Sequence, residues 1–375
     1  MEVIITGNIS KNNRIKYSQF IISSLLSNND QLSENLTNLI AENEFDFNMF
    51  EYMARRNKVL LRSSKKIFES GILPNFKKQF SDIIQEAHNR LDYKLNVLNS
   101  IHKKFEMENI NFTVMKTLDN APDIGNDIDL IVVKDDISKA NIILENDFGG
   151  IPKLELSKTP GETKSVCDKL AGKRLYYCQK FESSNDDLIP QVEIYPGFSQ
   201  VGEEYVNTYD IIKHRKSVII NNFKFFIPSV EHRLLISCTH GLFRHGILRI
   251  SELHNSLNWF NEKINWDLLD NCIKKSGVVY PFKIFLNHIF KYSQIKGVDF
   301  PIELNHFLDI NQQYTDFHYP FKPNTTSFAL LWIKKGINDF KNGKINSGCR
   351  SLFLAPILAS IALSKYKLTG KTGIW

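Results

Sequence analysis

Apolar residues recur at three- and four-residue spacing through the first hundred positions, which predicts helices over residues 19–26, 32–40 and 45–61. Residues 80–105 extend the pattern into a long amphipathic helix, with Ile83, Ile84, Ala87, Leu91, Leu95, Leu98 and Ile101 on one stripe. The polar joints at residues 27–29 and 63–66 read as helix–helix turns. After Asn109 the pattern changes. Residues 111–115 predict a short strand, and residues 127–133 (DIDLIVV), rich in β-branched side chains, predict a second, with Pro122 and Gly125 in the loop between them. A helix over residues 136–146 is bounded by Asp135/Asp136 and Gly149-Gly150. Residues 173–181 and 188–195 suggest an antiparallel strand pair, and residues 218–220 and 223–227 a hairpin turning at Asn221-Asn222. Beyond Pro228, with Ser229 as an N-cap, the spacing is helical again over residues 230–244, 250–260, 266–275, 280–292, 327–339 and 349–366.

The expectation is therefore an α+β chain: a helical region (1–107), a small mixed-sheet core (108–228) and a second helical region (229–375). No internal repeat is visible. Composition changes little in this picture. With 42% hydrophobic residues, 27 Phe and 13 Tyr, the chain fills a core and is not disordered. A net charge of +6, carried in short pairs such as Arg55-Arg56 and Lys274-Lys275, permits an anionic substrate but lacks the dense basic stripe of a nucleic-acid binder. Cys167, Cys178, Cys238, Cys272 and Cys349 are odd in number and fit no metal-knuckle or redox spacing, so a reducing compartment is expected. The opening residues lack the pattern of a signal peptide, and the longest apolar run, residues 351–364, is short and broken by Pro356. A cytoplasmic location is the expectation, with residues 352–363 a core or dimer helix and oligomerisation open.

The chemistry is concentrated in Asp127-Ile128-Asp129. Alternation along a strand sends both aspartates to one face, about 7 Å apart, while Ile128 points to the core. Asp is disfavoured in strands, and two at the head of a buried apolar run cost desolvation that a hard divalent cation would offset. Glu193, between Val192 and Ile194, is a third acid that joins them if its strand lies alongside. Lys116 is a candidate phosphate neutraliser. Lys153, Lys158, Lys164, Lys173 and Arg174 read as a solvated cluster in preference to a phosphate rim. His240, Arg244, His245, Arg249 and His254 suggest capping, core or pocket roles, since His240 and His245 are not at helical i, i+4 spacing and no H-E-x-x-H is present.

The succession Met115-Lys116-Thr117, Asp127-Ile128-Asp129-Leu130-Ile131-Val132 and Val192-Glu193-Ile194-Tyr195 resembles the nucleotidyltransferase superfamily related to DNA polymerase beta. It is closest to the uncharacterised nucleotidyltransferase family in which a Lys-Gly element precedes Gly-Asp-Ile-Asp. The segment Ile227 to Leu235, with His240 and His245 after it, is similar to that family's hinge into its helical region, and the resemblance covers residues 105–260. It implies that Asp127, Asp129 and Glu193 bind Mg²⁺ (or Mn²⁺), that Lys116 and Thr117 contact a nucleoside triphosphate, and that the enzyme moves a nucleoside monophosphate to an acceptor hydroxyl or phosphate. Thr117-Leu118 departs from the Gly-Ser or Gly-Gly of the superfamily, which keeps a non-catalytic nucleotide-binding or interaction module with the same fold as an alternative. A metal-dependent glycosyltransferase using a nucleotide-sugar also employs Asp-x-Asp, but expects a βαβ region before the pair where this chain has a helical pattern.

Overall fold

A computed structural model describes residues 11–25, 29–40, 44–125, 127–152, 174–178, 190–196, 198–200, 203–245, 248–308 and 325–354. The N-terminal helices are α1 (Lys11–Ser24), α2 (Asn29–Ile40), α3 (Phe47–Arg56), α4 (Leu60–Ser70) and α5 (Lys77–Met107). The core follows as β1 (Phe112–Met115), β2 (Asp127–Val132), α6 (Ile137–Phe148), β3 (Gly150–Pro152), β4 (Arg174–Cys178) and β5 (Gln191–Tyr195). Then come β6 (Phe198–Gln200), β7 (Glu203–Val206), α7 (Thr208–Lys213), β8 (Lys216–Ile220) and β9 (Phe223–Ile227). The closing helices are α8 (Val230–Thr239), α9 (Ile250–Trp259), α10 (Trp266–Ser276), α11 (Val279–Lys296), α12 (Thr325–Lys341) and α13 (Ile345–Cys349). The architecture is α+β.

The main sheet has the order β1-β2-β5-β4-β3. β2 and β5 are parallel, while β1–β2, β5–β4 and β4–β3 are antiparallel. Because side chains alternate, the sheet has two unlike faces. Phe112, Val114, Ile128, Leu130, Val132, Val192 and Ile194 pack against the C-terminal half of α5, against α6 and against Phe225 and Ile227 of β9. The opposite face presents Met115, Ile131 and Tyr195 to a second apolar cluster. That cluster runs without a break from Phe20, Phe50 and Phe80 in the N-terminal helices to Leu234, Phe243, Leu253 and Phe285 in the C-terminal ones. The two helical regions therefore share one core across the sheet.

Several sequence expectations need correction. The helix expected over residues 45–61 breaks after Arg56, because Lys58 takes a left-handed backbone (φ 53°) that an α-helix cannot accommodate. Asn57, fully buried, makes the break useful: its side-chain oxygen accepts from Ile250 N at 3.0 Å and its carbonyl from Ser251 N at 3.2 Å, so the corner holds the start of α9. Residues 63–66 are not a turn but lie inside α4, where Ser63 and Ser64 are buried. The expected helix over residues 230–244 ends at Thr239 and passes into a wider turn over His240–His245. The short elements β3, β6, β7 and α7 had no expectation. α1 begins eight residues before the helix expected over 19–26, and in place of the start of the helix expected over 349–366 stand α13 and a wider turn over Arg350–Leu354. The other described elements lie close to their expected spans, including the β8–β9 hairpin, where Asn221 and Asn222 have φ of 47° and 64°.

The first ten residues, Lys153, Lys158, Lys164, Cys167, Lys173 and most of the apolar run from Leu352 lie outside the described residues. No helix among the described residues is long and apolar enough to cross a membrane.

Candidate active site

The register decides which acids meet. Asp129 pairs with Met115 on one side and, across the parallel β2–β5 ladder, with Glu193 on the other. Asp127 pairs with Gln191 one step nearer the head of the strands. All three acids therefore stand on the sheet face turned toward the shared helical core, as expected from the sequence. Asp129 and Glu193 are buried, and Asp127 is part exposed.

The buried pair is tied together by a hydroxyl. Tyr195 Oη lies 2.6 Å from Glu193 Oε2 and 3.1 Å from Asp129 Oδ1, so one phenolic proton sits between two carboxylates. Gln191 donates to Glu193 Oε1 at 2.7 Å. Lys116 Nζ lies 3.3 Å from Asp129 Oδ1 and 3.2 Å from His240 Nε2. The far nitrogen of His240 faces Glu252 at 4.0 Å, which extends the polar chain from β2 to α9. Burial holds the Asp129 carboxyl above the usual carboxylate range. The ammonium of Lys116 opposes that shift, while Glu193 and Asp127 add to it.

The groups that Thr117 would offer to a phosphate are engaged within the protein. Its hydroxyl accepts from Asp129 N at 2.8 Å and its own N–H donates to Met115 O. Both groups thus fix the end of β1 against the start of β2. The residue before Thr117, Lys116, takes a left-handed backbone, at φ 55°. Leu118 is buried in the α5-side cluster.

Two lysines that the sequence reading passed over join the site. Lys58, at the α3–α4 corner, and Lys94, midway along α5, both feel the charges of Asp127 and Asp129. Lys94 Nζ donates to Gly125 O. Burial lowers both ammonium groups, Lys94 to about 7. A signal for Lys94 was present, because it falls on the apolar stripe between Leu91 and Leu98 at helical spacing. Lys58 carried none, since its place depends on the break in a helix that reads as continuous.

The loop between β1 and β2 is clamped at both ends. Arg233 of α8 reaches Asp119 at 3.5 Å, stacks on Trp259 at 4.8 Å and pairs with Glu262. Asp123 accepts from Leu61 N and Arg62 N, capping α4, and pairs with Arg62 Nε at 2.7 Å. Burial raises both carboxyls, against the pull of their arginines. Beside this loop a cleft of about 240 Å³ is walled by Arg55, Lys58, Arg90 and residues 122–125. A smaller cavity lies between Lys116, His240, Arg249 and Glu252.

Asp127, Asp129 and Glu193 offer the oxygen ligands that a hard divalent cation takes, although among the described residues only Asp210, His232 and Cys272 bring three ligand atoms within 4.8 Å of one another. The side chains of Arg174, Arg244 and His245 lie outside the described residues, while Arg249 pairs with Glu252 and His254 with Tyr292 Oη at 3.1 Å. Before β1 the described residues form helices and one short 3₁₀ turn, not the βαβ region of a nucleotide-sugar transferase. No protein-family model, curated protein or solved structure matches the chain.

Proposed function

We propose that this chain is a divalent-metal-dependent nucleotidyltransferase that moves a nucleoside monophosphate from a nucleoside triphosphate to an acceptor. The observation that carries this reading is the parallel β2–β5 register, which sets Asp129 beside Glu193 with Asp127 at the strand head. Asp127, Asp129 and Glu193 would hold Mg²⁺ or Mn²⁺. When bound, such an ion neutralises phosphate oxygens and polarises the attacking and leaving groups.

The chain's own residues supply position and charge. The 240 Å³ cleft carries Arg55, Lys58 and Arg90 beside Glu86 and Asp123, so the anionic end of a nucleotide would take over the arginines from Glu51 and Glu86. Lys116, between Asp129 and His240, would supply a cation to a pyrophosphate leaving group at the acids. Tyr195 keeps the buried acids aligned. Clamping of the 119–123 loop by Arg233 and Arg62 fixes the entrance, so little reorganisation is left for the chemical step.

The engaged hydroxyl and N–H of Thr117 favour a second reading, in which the same site binds a nucleotide without transferring it. One experiment separates the two. The protein is incubated with each α-labelled triphosphate and Mg²⁺, and label transfer, pyrophosphate release and nucleotide retention are measured beside Asp129→Ala. Transfer lost in the variant supports the enzyme, by a factor on the order of 10² or more for a ligand that acts in the transition state. Metal-dependent retention without transfer supports the binding module. Absence of both sinks the reading.

A further inference from the structure

On the far side of α8 from the Arg233 clamp, three unlike ligand atoms converge. Asp210 of α7, His232 of α8 and Cys272 of α10 bring a carboxylate oxygen, an imidazole nitrogen and a sulfur within 4.8 Å of one another. His232 Nε2 lies 3.3 Å from Asp210 Oδ2 and 3.8 Å from Cys272 Sγ, and the sulfur lies 3.9 Å from the same oxygen. We propose that Asp210, His232 and Cys272 bind a zinc ion. Zinc bonds of about 2.0–2.3 Å at tetrahedral angles place ligand atoms about 3.3–3.6 Å apart. The observed triangle differs from that by a few tenths of an ångström.

The surroundings of His232 suit a cation. Ser229 Oγ lies 2.9 Å from His232 Nδ1, so the ring nitrogen away from the cluster has a partner that would orient the imidazole as a ligand. Nε2 faces the Asp210 carboxylate and the Cys272 sulfur together, and an ion between the three would be coordinated by all of them. A Cys–His–Asp catalytic arrangement does not fit, because it needs the acid and the thiol on opposite ring nitrogens, and here both face Nε2. The mixture of sulfur, nitrogen and oxygen suits zinc and not the hard cation of the carboxylate site.

His232 and Cys272 are buried, while the Asp210 side chain is 40% exposed and His214 lies against it at 3.4 Å. The open side leaves the fourth position to solvent. The ion would join α7, α8 and α10, and so fix the residue before Arg233.

The test loads the full chain with zinc, removes excess by gel filtration and measures bound metal, with cobalt(II) as a spectroscopic substitute. A single retained zinc and a thiolate-to-cobalt charge-transfer band are expected in the wild type, and both are lost in Cys272→Ser. Asp129→Ala and Cys238→Ala keep the band, which separates this site from the carboxylate one and from the other buried thiol. Zinc should raise the melting temperature of the wild type but not of Asp210→Asn, a change on a part-exposed side chain that serves if Cys272→Ser fails to fold. A folded wild type with no retained zinc and no band overturns the proposal, as does a band that survives Cys272→Ser.

Discussion

Lys94 shows how much one residue can carry at the scale of a side chain. Its ammonium is held at about 7 in the folded chain, against 10.5 for the ordinary group, chiefly because burial strips it of water. Between those values the unfolded chain binds a proton that the folded one does not, so folding stability rises with pH there. The slope is about 1.4 kcal/mol per pH unit for one such group. We expect urea midpoints of the metal-free protein to climb from pH 7 toward pH 9, and Lys94→Met to flatten that climb. A slope unchanged by the substitution would show that the lysine keeps its charge when folded. The residue was legible as an anomaly, a charge on an apolar stripe, although nothing in the stripe said which acids it would face. Asp127, Asp129 and Glu193 were legible because strand alternation and a buried run leave an acid few structural uses. The bond from Asp129 N to the Thr117 hydroxyl was not legible, since a hydrogen bond to the next strand's N–H has no trace in spacing.

At the scale of elements, β1, β2, β4, β5 and the β8–β9 hairpin were readable from period and turn chemistry, but β3, β6, β7 and the corner between α3 and α4 were not. The cause of the corner is tertiary: Asn57 binds the start of α9, and Asp123 supplies the N-terminal cap that Val59 cannot. Local pattern sees an unbroken apolar rhythm there. Asp123→Ala should cost about 3 kcal/mol, because it uncaps α4 and leaves the mostly buried Arg62 guanidinium with only the neutral acceptors Asn255 Oδ1 and Lys58 O. Chemical denaturation gives the magnitude. A loss below about 0.5 kcal/mol, the range of an ordinary surface change, would count against the clamp.

At the scale of the molecule, the sequence divides where the structure joins. The two helical regions have distinct composition patterns and a sheet between them in the chain, yet they bury a common apolar cluster that also takes in Met115, Ile131 and Tyr195. A chain without residues 1–76 loses Phe20, Ile21, Phe50 and Met53 from that cluster, together with the Asn57 clasp and Lys58. It should fail to give a cooperative thermal transition by calorimetry, whereas an independent core-plus-C-terminal unit would melt normally. The hydrophobic pattern predicted most of the helices but held no information about which apolar faces would meet.

The clamp on the β1–β2 loop also sets an order of events in time. Synthesis delivers Asp127, Asp129 and Glu193 well before Arg233, His240 and Glu252, the residues that hold the loop and back Lys116. A nascent chain that has just exposed its acids has them uncovered, with Asp119 unheld and Lys116 without its imidazole neighbour. The candidate site is thus assembled from the C-terminal side, and a ribosome stalled before α8 would carry Asp127, Asp129 and Glu193 without the residues that hold them in place.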